Sequence, residues 1–70
     1  MKIITAPMAG TVLRVLVEAE AKVSKGQEVI VLESMKMEIP IESTCDSKVA
    51  SVQVSVGDFV NEGDILVNLD

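Results

Sequence analysis

A chain of 70 residues has room for one domain, and a domain of that size buries only about 60% of the surface that its unfolded chain exposes. Hydrophobic residues make up 49% of the chain, which excludes an intrinsically disordered protein and predicts one globular domain over residues 1–70. A net charge of −5, with no Trp, no Tyr and one Phe, argues against nucleic-acid binding because the chain lacks both a basic surface and aromatic platforms for bases.

Several other classes of protein are disfavoured by residues that the sequence lacks. No apolar run approaches the roughly 18 to 20 residues that span a bilayer, and Met1–Pro7 does not resemble a signal peptide, so we predict a cytoplasmic protein without a membrane partner. Cys45 is the only cysteine and the chain has no His, so we expect a reduced thiol, no metal site and no thiol catalysis. Since no acid, base and nucleophile converge, we predict no catalytic residue.

The chain contains an internal repeat. Shifting it along itself by 37 positions matches residues 1–33 to residues 38–70. The superposed pairs are Ile4 and Ile41, Val12 and Val49, Val15 and Val52, Val17 and Val54, Val23 and Val60, Gly26 and Gly63, and Leu32 and Leu69. Each half is too small to bury its own apolar face, so the two halves are expected to pack together. The midpoint of the repeat lies between Met35 and Lys36.

The spacing within each half is typical of β structure, and Val, Ile and Leu supply most of the apolar residues. In the first half, Val12, Val15 and Val17 are spaced by three and then two residues, and the same spacing returns in the second half. An extra residue near positions 13–14 and 50–51, forming a β-bulge, explains this pattern. Gly26 and its repeat equivalent predict turns before the strands that follow them.

Two strands are predicted to flank the midpoint. Residues 28–33 form an apolar run bounded by charges, and residues 37–42 alternate strictly between apolar and polar side chains. Pro40 has no amide hydrogen, so it is expected at a sheet edge, at a bulge or facing solvent. The short connection places Lys36 at a hairpin tip. It contains no Gly, Asn or Asp, the residues that favour tight hairpin turns, and such departures from local rules tend to mark functional sites.

The segment around this tip resembles the biotin attachment motif of biotinyl domains, the biotin carboxyl carrier family. The matching residues are Glu33, Ser34, Met35, Lys36, Met37 and Glu38. Further matches in the same order are residues 6–12, residues 23–27 and residues 56–64, so the resemblance covers essentially the whole chain. The chain looks like a minimal, free-standing member of this family and resembles the small biotin/lipoyl attachment proteins.

The resemblance implies a fold and a function. The fold is all-β, a flattened barrel-sandwich hybrid of two four-stranded antiparallel sheets with quasi-twofold symmetry. The function is that of a non-catalytic carrier, and we expect it to be a monomer. A biotin protein ligase would attach biotin to Lys36, between Met35 and Met37, and the carrier would then serve a biotin carboxylase and a carboxyltransferase. Glu33, Ser34 and Glu38 are candidate ligase contacts, although the two glutamates could equally be solvated rim charges.

The sequence departs from the family pattern at a few positions. Glu20-Ala21 stands where Gly-Asp is usual, although the equivalent Gly57-Asp58 is intact, so we expect a strained or reshaped turn in the first half. Ser47 occupies a position where glycine is common, and Ala9 one where proline is frequent. None of these positions lies in the attachment hairpin.

Three alternatives remain open. A lipoyl domain would share the fold, but such domains usually have Asp before the lysine and Ala after it, where this chain has Met35 and Met37. A dual acceptor of biotin and lipoate is a related possibility. An unmodified interaction module would leave Lys36 as an ordinary solvated charge. Separately, Met35 and Met37 could be core residues, and Met37, in phase with Ile39 and Ile41, is expected to be partly buried.

Overall fold

The computed structural model describes residues 2–70, which form β-strands joined by turns and contain no helix, and hence none that could cross a bilayer. The eight strands are β1 (Lys2–Thr5), β2 (Gly10–Val15), β3 (Lys22–Val23), β4 (Glu28–Ser34), β5 (Met37–Glu42), β6 (Ser47–Val52), β7 (Phe59–Val60) and β8 (Ile65–Leu69). This pattern follows from the abundance of β-branched residues and from the turns that separate the apolar runs.

The strands form two four-stranded antiparallel sheets, which confirms the predicted fold class. The strand orders are β5-β4-β2-β7 in the first sheet and β1-β8-β6-β3 in the second. The repeat shift converts β1, β2, β3 and β4 into β5, β6, β7 and β8, and it therefore converts one sheet into the other. Each sheet takes its two inner strands from one half of the chain and its two edge strands from the other. The halves are interlocked and cannot separate without breaking both sheets.

The predicted β-bulges are present in both halves. The register between β2 and β4 shifts between Val12 and Arg14, and the register between β6 and β8 shifts between Val49 and Ser51. In each case one extra residue lies in the strand, which accounts for the valine spacing of three and then two. Pro40 lies on β5, an edge strand, as its missing amide hydrogen requires.

The core lies between the sheets and is aliphatic. Its fully buried members come largely in pairs related by the repeat: Val12 and Val49, Val29 and Leu66, Ile30 and Val67, and Leu32 and Leu69. Burying one such side chain stabilises a fold by about 1.5–3 kcal/mol. Each pair has one member on each sheet. The apolar contacts between the sheets therefore also fix the position of one sheet relative to the other.

The turn before β3 is strained, as the departure from the family pattern predicts. Glu20 has a φ of 76°, in the left-handed region, and its repeat equivalent Gly57 has a φ of 94°. In the second half the Asp58 carboxylate accepts a hydrogen bond from the amide of Ser55 at 2.8 Å. Ala21, at the position equivalent to Asp58, has no side-chain oxygen to do the same. The first-half turn is therefore strained at Glu20, and it lacks the side-chain hydrogen bond that Asp58 forms in the second-half turn.

We expect the double variant Glu20→Gly, Ala21→Asp to be more stable than the wild type by about 1 kcal/mol. Glycine removes the left-handed strain of a side chain, and aspartate restores the turn hydrogen bond. The greater freedom of glycine in the unfolded chain offsets part of this gain. Urea unfolding at neutral pH measures the difference. A variant less stable than the wild type would show that this turn is not strained.

The same substitution removes an ion pair, and this gives the stability difference a pH dependence. Glu20 lies 3.1 Å from Lys48 Nζ, and its hydrogen bond and negative charge, aided by Asp70, raise the pKa of Lys48. The contribution of the pair is therefore complete below the unfolded-state pKa of Lys48 and is lost as pH rises through the higher folded-state value. The advantage of the double variant should accordingly grow at strongly alkaline pH, as repeated urea unfolding there would show.

Candidate functional site

A two-residue loop joins β4 to β5, and it confirms the predicted hairpin tip. β4 ends at Ser34 and β5 begins at Met37, and these two residues pair directly across the ladder. Between them, Met35 has a φ of 54° and Lys36 a φ of 65°. Positive φ at both central residues is the property of a type I′ turn, whose twist matches that of the flanking strands. The geometry of the sheet therefore imposes this backbone on two residues that do not favour it.

The left-handed conformation costs about 1–2 kcal/mol for each of the two residues. The long ladder between β4 and β5 maintains it, because its register extends from the Glu28–Glu42 pair to the Ser34–Met37 pair. Ile30, Leu32 and Ile41, on the same two strands, are buried in the core. Strain at the tip is thus offset by packing at the base, and Asn-Gly would form the turn at lower cost. The structure of the turn does not explain the presence of Met35 and Lys36.

The tip projects into solvent. Met35 is 90% exposed and Met37 is 61% exposed, while Lys36 is also exposed. Along β5, exposure falls from Met37 through the half-buried Ile39 to the buried Ile41. Met37 is therefore less covered than its phase with the two isoleucines predicts, because burial along this face of β5 decreases towards the tip. Large apolar side chains at such exposure form an uncompensated apolar surface around the lysine.

A row of side chains crosses the outer face of the first sheet next to the tip. Glu38 pairs with Glu33, Glu33 with Thr11, and Thr11 with Phe59, so these residues lie side by side on one face. All of them are exposed. Ser34, by contrast, is half-buried and lies on the opposite face of the sheet, because successive side chains of a strand alternate. The structure thus places Glu33 and Glu38 together and separates Ser34 from them.

Two like charges directly opposite each other destabilise a sheet. Glu33 and Glu38 are such a pair, and Arg14 on β2 compensates one of them by donating a hydrogen bond from Nη2 to Glu38 Oε1. Arg14 reaches across β4, where its register partner Val31 lies buried beneath it on the outer face. Within residues 2–70 Glu33 forms no ion pair. An acidic side chain therefore remains available beside the hairpin.

Gly10 allows β2 to approach the base of the hairpin closely. A Cβ atom placed on Gly10 would lie 2.8 Å from the backbone oxygen of Glu33 and 3.5 Å from Cβ of Ser34. Real Cβ atoms do not occur so close to a carbonyl oxygen, so any side chain here would displace β4 where it enters the turn. Gly10 thus positions the hairpin although it lies far from it in sequence.

Sequence reasoning did not identify Arg14, Gly10 or Phe59 as parts of this surface. These three residues lie on this surface because β2 and β7 follow β4 in the strand order of the sheet, and β7 belongs to the other half of the chain. The repeat shift offered one signal, because Gly10 has Ser47 as its equivalent and so breaks the pattern. Residues 2–70 contain no group of three or more His, Cys, Asp or Glu side chains arranged to hold a metal ion.

These features define a class of protein. The molecule is a small, symmetric β-sandwich in which the strained turn between β4 and β5 places a primary amine between two exposed apolar side chains. Such an arrangement suits a domain that offers one side chain to other proteins rather than a domain that encloses a substrate.

Comparison with known proteins identifies the family. Residues 2–69 match the biotin/lipoyl family model, described as "Biotin-requiring enzyme". A biotin/lipoyl attachment protein of Bacillus subtilis is 53% identical over 62 residues, covering 89% of this chain and 85% of that protein. The chain belongs to the biotin/lipoyl attachment family, as its motifs predict.

Two further matches are to proteins that are longer than this chain. The biotin carboxyl carrier protein of Streptococcus mutans is 44% identical over 64 residues, which are 91% of this chain and 49% of that protein. A solved structure of a single-chain, multidomain long-chain acyl-CoA carboxylase matches with a TM-score of 0.89 and 32% identity, covering 94% of this chain and 6% of the carboxylase. The chain therefore corresponds to one domain of that enzyme.

Proposed function

We propose that this chain is a biotin carrier in which Nζ of Lys36 forms an amide bond with the carboxyl group of biotin. The observation that carries the proposal is the type I′ turn, which holds Lys36 in solvent between Met35 and Met37 at a conformational cost. Membership of the biotin/lipoyl family supports it. The chain is a carrier and not an enzyme, and residues 1–70 form one attachment domain.

The attachment reaction needs a ligase, because a lysine amine is protonated at neutral pH and a free carboxylate is a poor acylating agent. A biotin protein ligase supplies biotin as its adenylate and removes a proton from the ammonium group. The neutral amine then attacks the acyl carbon, the C–N bond forms and AMP leaves. This chain contributes the position of the amine, and modification removes its positive charge.

The carrier then serves two active sites of a biotin-dependent carboxylase. A biotin carboxylase adds a carboxyl group to the ureido ring and a carboxyltransferase removes it, while the lysine and biotin together act as a swinging arm. Met35 and Met37 are flexible and polarisable, so the same apolar surface can pack against different partners. The rigid sandwich beneath them keeps the attachment point in a constant orientation. The match to an acyl-CoA carboxylase supports this role.

Glu33, Ser34 and Glu38 are proposed to contribute to recognition by the ligase. Glu33 and Glu38 form a like-charged pair beside the tip that costs stability in the folded sheet. A basic surface of the ligase would relieve this repulsion. Ser34 is half-buried and pairs with Met37, so its contribution would be to hold the base of the turn.

Other features of the proposal concern the cellular setting. We infer a monomer that acts in the cytoplasm, without nucleic acid or membrane as a partner. The net charge of −5 argues against nucleic acid as a partner. The single, half-buried Cys45 is consistent with a reducing compartment.

Peptide mapping of the protein co-expressed with a biotin protein ligase tests the attachment site. Trypsin cleaves after unmodified lysine, so an amide on Lys36 should abolish cleavage there and yield a peptide spanning residues 26–48 whose mass is raised by that of biotin less one water. Cleavage after Lys25 and Lys48 should remain complete and serves as the control. Biotin on another lysine would contradict the proposal, as would an unmodified Lys36. A lipoyl group on Lys36 would identify the lipoyl alternative.

A further inference from the structure

The outer surfaces of the two halves differ although their backbones correspond. In the second half, Phe59 is 66% exposed and Ile65 is 42% exposed. Their repeat equivalents in the first half are Lys22 and Glu28, both exposed and charged. The backbone of this fold is therefore compatible with charged residues at these positions. The two exposed apolar side chains of the second half need an explanation other than folding.

These two side chains line one cleft, with a volume of about 640 Å³, together with Val54, Asp58 and Asp64. None of the residues that line this cleft is basic. Its surface thus combines an aromatic ring, aliphatic carbons and two carboxylates. A cleft of this composition is complementary to a cation that has apolar neighbours.

The two carboxylates are only partly used by the fold. Oδ2 of Asp58 accepts a hydrogen bond from the amide of Ser55 at 2.8 Å, and Oδ2 of Asp64 accepts one from the amide of Asn61 at 2.9 Å. Neither carboxylate forms an ion pair within residues 2–70. Each can therefore accept a further hydrogen bond through Oδ1.

The first half shows that the turns do not require these charges. Gln27, the equivalent of Asp64, accepts the corresponding hydrogen bond from the amide of Ser24 through its neutral amide oxygen. Ala21, the equivalent of Asp58, completes its turn with a backbone hydrogen bond to Glu18 alone. The second half therefore carries two negative charges that its counterpart lacks, at the rim of the cleft that holds Phe59.

We propose that this cleft docks a partner protein through an arginine side chain flanked by aliphatic residues. The guanidinium group stacks on the ring of Phe59 and donates hydrogen bonds to Asp58 and Asp64, while the aliphatic neighbours contact Ile65 and Val54. Arginine fits better than lysine because its planar group both stacks on aromatic rings and donates several hydrogen bonds in fixed directions. The proposal does not depend on biotin attachment to Lys36.

The position of the cleft gives such docking a consequence. Phe59 lies in the row that contains Thr11, Glu33 and Glu38, two strand spacings or about 10 Å from Glu33. A partner held at Phe59 would thus cover the sheet face that leads to the hairpin. Docking there would orient the hairpin relative to the partner without contact to Lys36 itself.

Nuclear magnetic resonance titration of the unmodified 70-residue chain tests the proposal. The probe is the peptide acetyl-Leu-Arg-Leu-amide, and acetyl-Leu-Gln-Leu-amide is the uncharged control. We expect saturable amide shifts at residues 58, 59, 64 and 65 with a Kd of about 1–10 mM for the arginine peptide. The equivalent amides at residues 21, 22, 27 and 28 should not move, and they provide a control within the same molecule.

Substitutions copied from the first half sharpen the test. Phe59→Lys and Asp58→Ala introduce the residues found at the equivalent positions, so each should fold, and each should weaken peptide binding at least tenfold. Lys22→Ala is the matched control and should leave binding unchanged. Equal shifts in both halves, equal shifts with both peptides, no saturable shift at about 20 mM peptide, or unchanged binding by Phe59→Lys would each overturn the proposal.

Discussion

The variant Lys36→Arg is expected to lose biotin attachment completely while keeping the fold of the wild type. Arginine retains the positive charge and the long side chain, and it occupies the same strained turn position, so the free energy of unfolding should change little. Its guanidinium group stays protonated in proteins and offers no neutral amine for attack on an activated acid. After co-expression with a biotin protein ligase, we expect the fraction retained by streptavidin to fall by at least about 100-fold.

A matched control separates loss of the acceptor from any general effect of replacing an exposed lysine by arginine. Lys25 is exposed in the turn before β4, and its backbone amide, rather than its side chain, donates a hydrogen bond to Asp46 at 2.8 Å. The variant Lys25→Arg should therefore be retained as fully as the wild type. Urea unfolding of both variants confirms that the fold is intact. Substantial retention of Lys36→Arg would place the attachment site elsewhere.

Much of this fold could be predicted because the sequence repeats. The shift of 37 residues pairs positions such as Val12 and Val49. In the structure, the same shift relates the strands of one sheet to those of the other, as a quasi-twofold symmetry requires. The interrupted valine spacing located both bulges. The hairpin followed from two adjacent strand patterns with only a short connection between them. These features depend on local period and on internal comparison, both of which a single sequence contains.

The rest of the surface depends on strand order, which no local pattern encodes. Arg14 meets Glu38 only because β4 lies between their strands, and Phe59 joins the same face only because β7 crosses from the second half to pair with β2. The exposure of Met37 likewise depends on its position near the tip, and the alternation along β5 alone does not predict it. Predictions from the sequence therefore reached the residues of the hairpin itself but not the neighbours that surround it.

Substitution at Gly10 is expected both to destabilise the fold and to slow biotin attachment, although Gly10 lies outside the hairpin. In Gly10→Ala the new Cβ would lie 2.8 Å from the backbone oxygen of Glu33, so β2 and β4 must move apart where β4 enters the turn. Overpacking of this kind destabilises a protein by about 1–3 kcal/mol. We expect a loss of about 2 kcal/mol in urea unfolding and slower biotinylation, because displacement of β4 alters the presentation of Lys36.

The repeat supplies a matched control for this prediction. In the second half, Ser47 is the equivalent of Gly10 and Asp70 is the equivalent of Glu33. The Ser47 hydroxyl donates a hydrogen bond to the backbone oxygen of Asp70 at 2.8 Å. A side chain is thus accommodated beside the end of β8, whereas a Cβ atom on Gly10 would come too close to the end of β4. Ser47→Ala should therefore cost less than about 1 kcal/mol, the value of one exposed hydrogen bond, and should leave biotinylation unchanged. Equal losses in the two alanine variants would show that close packing at Gly10 does not hold the hairpin in place.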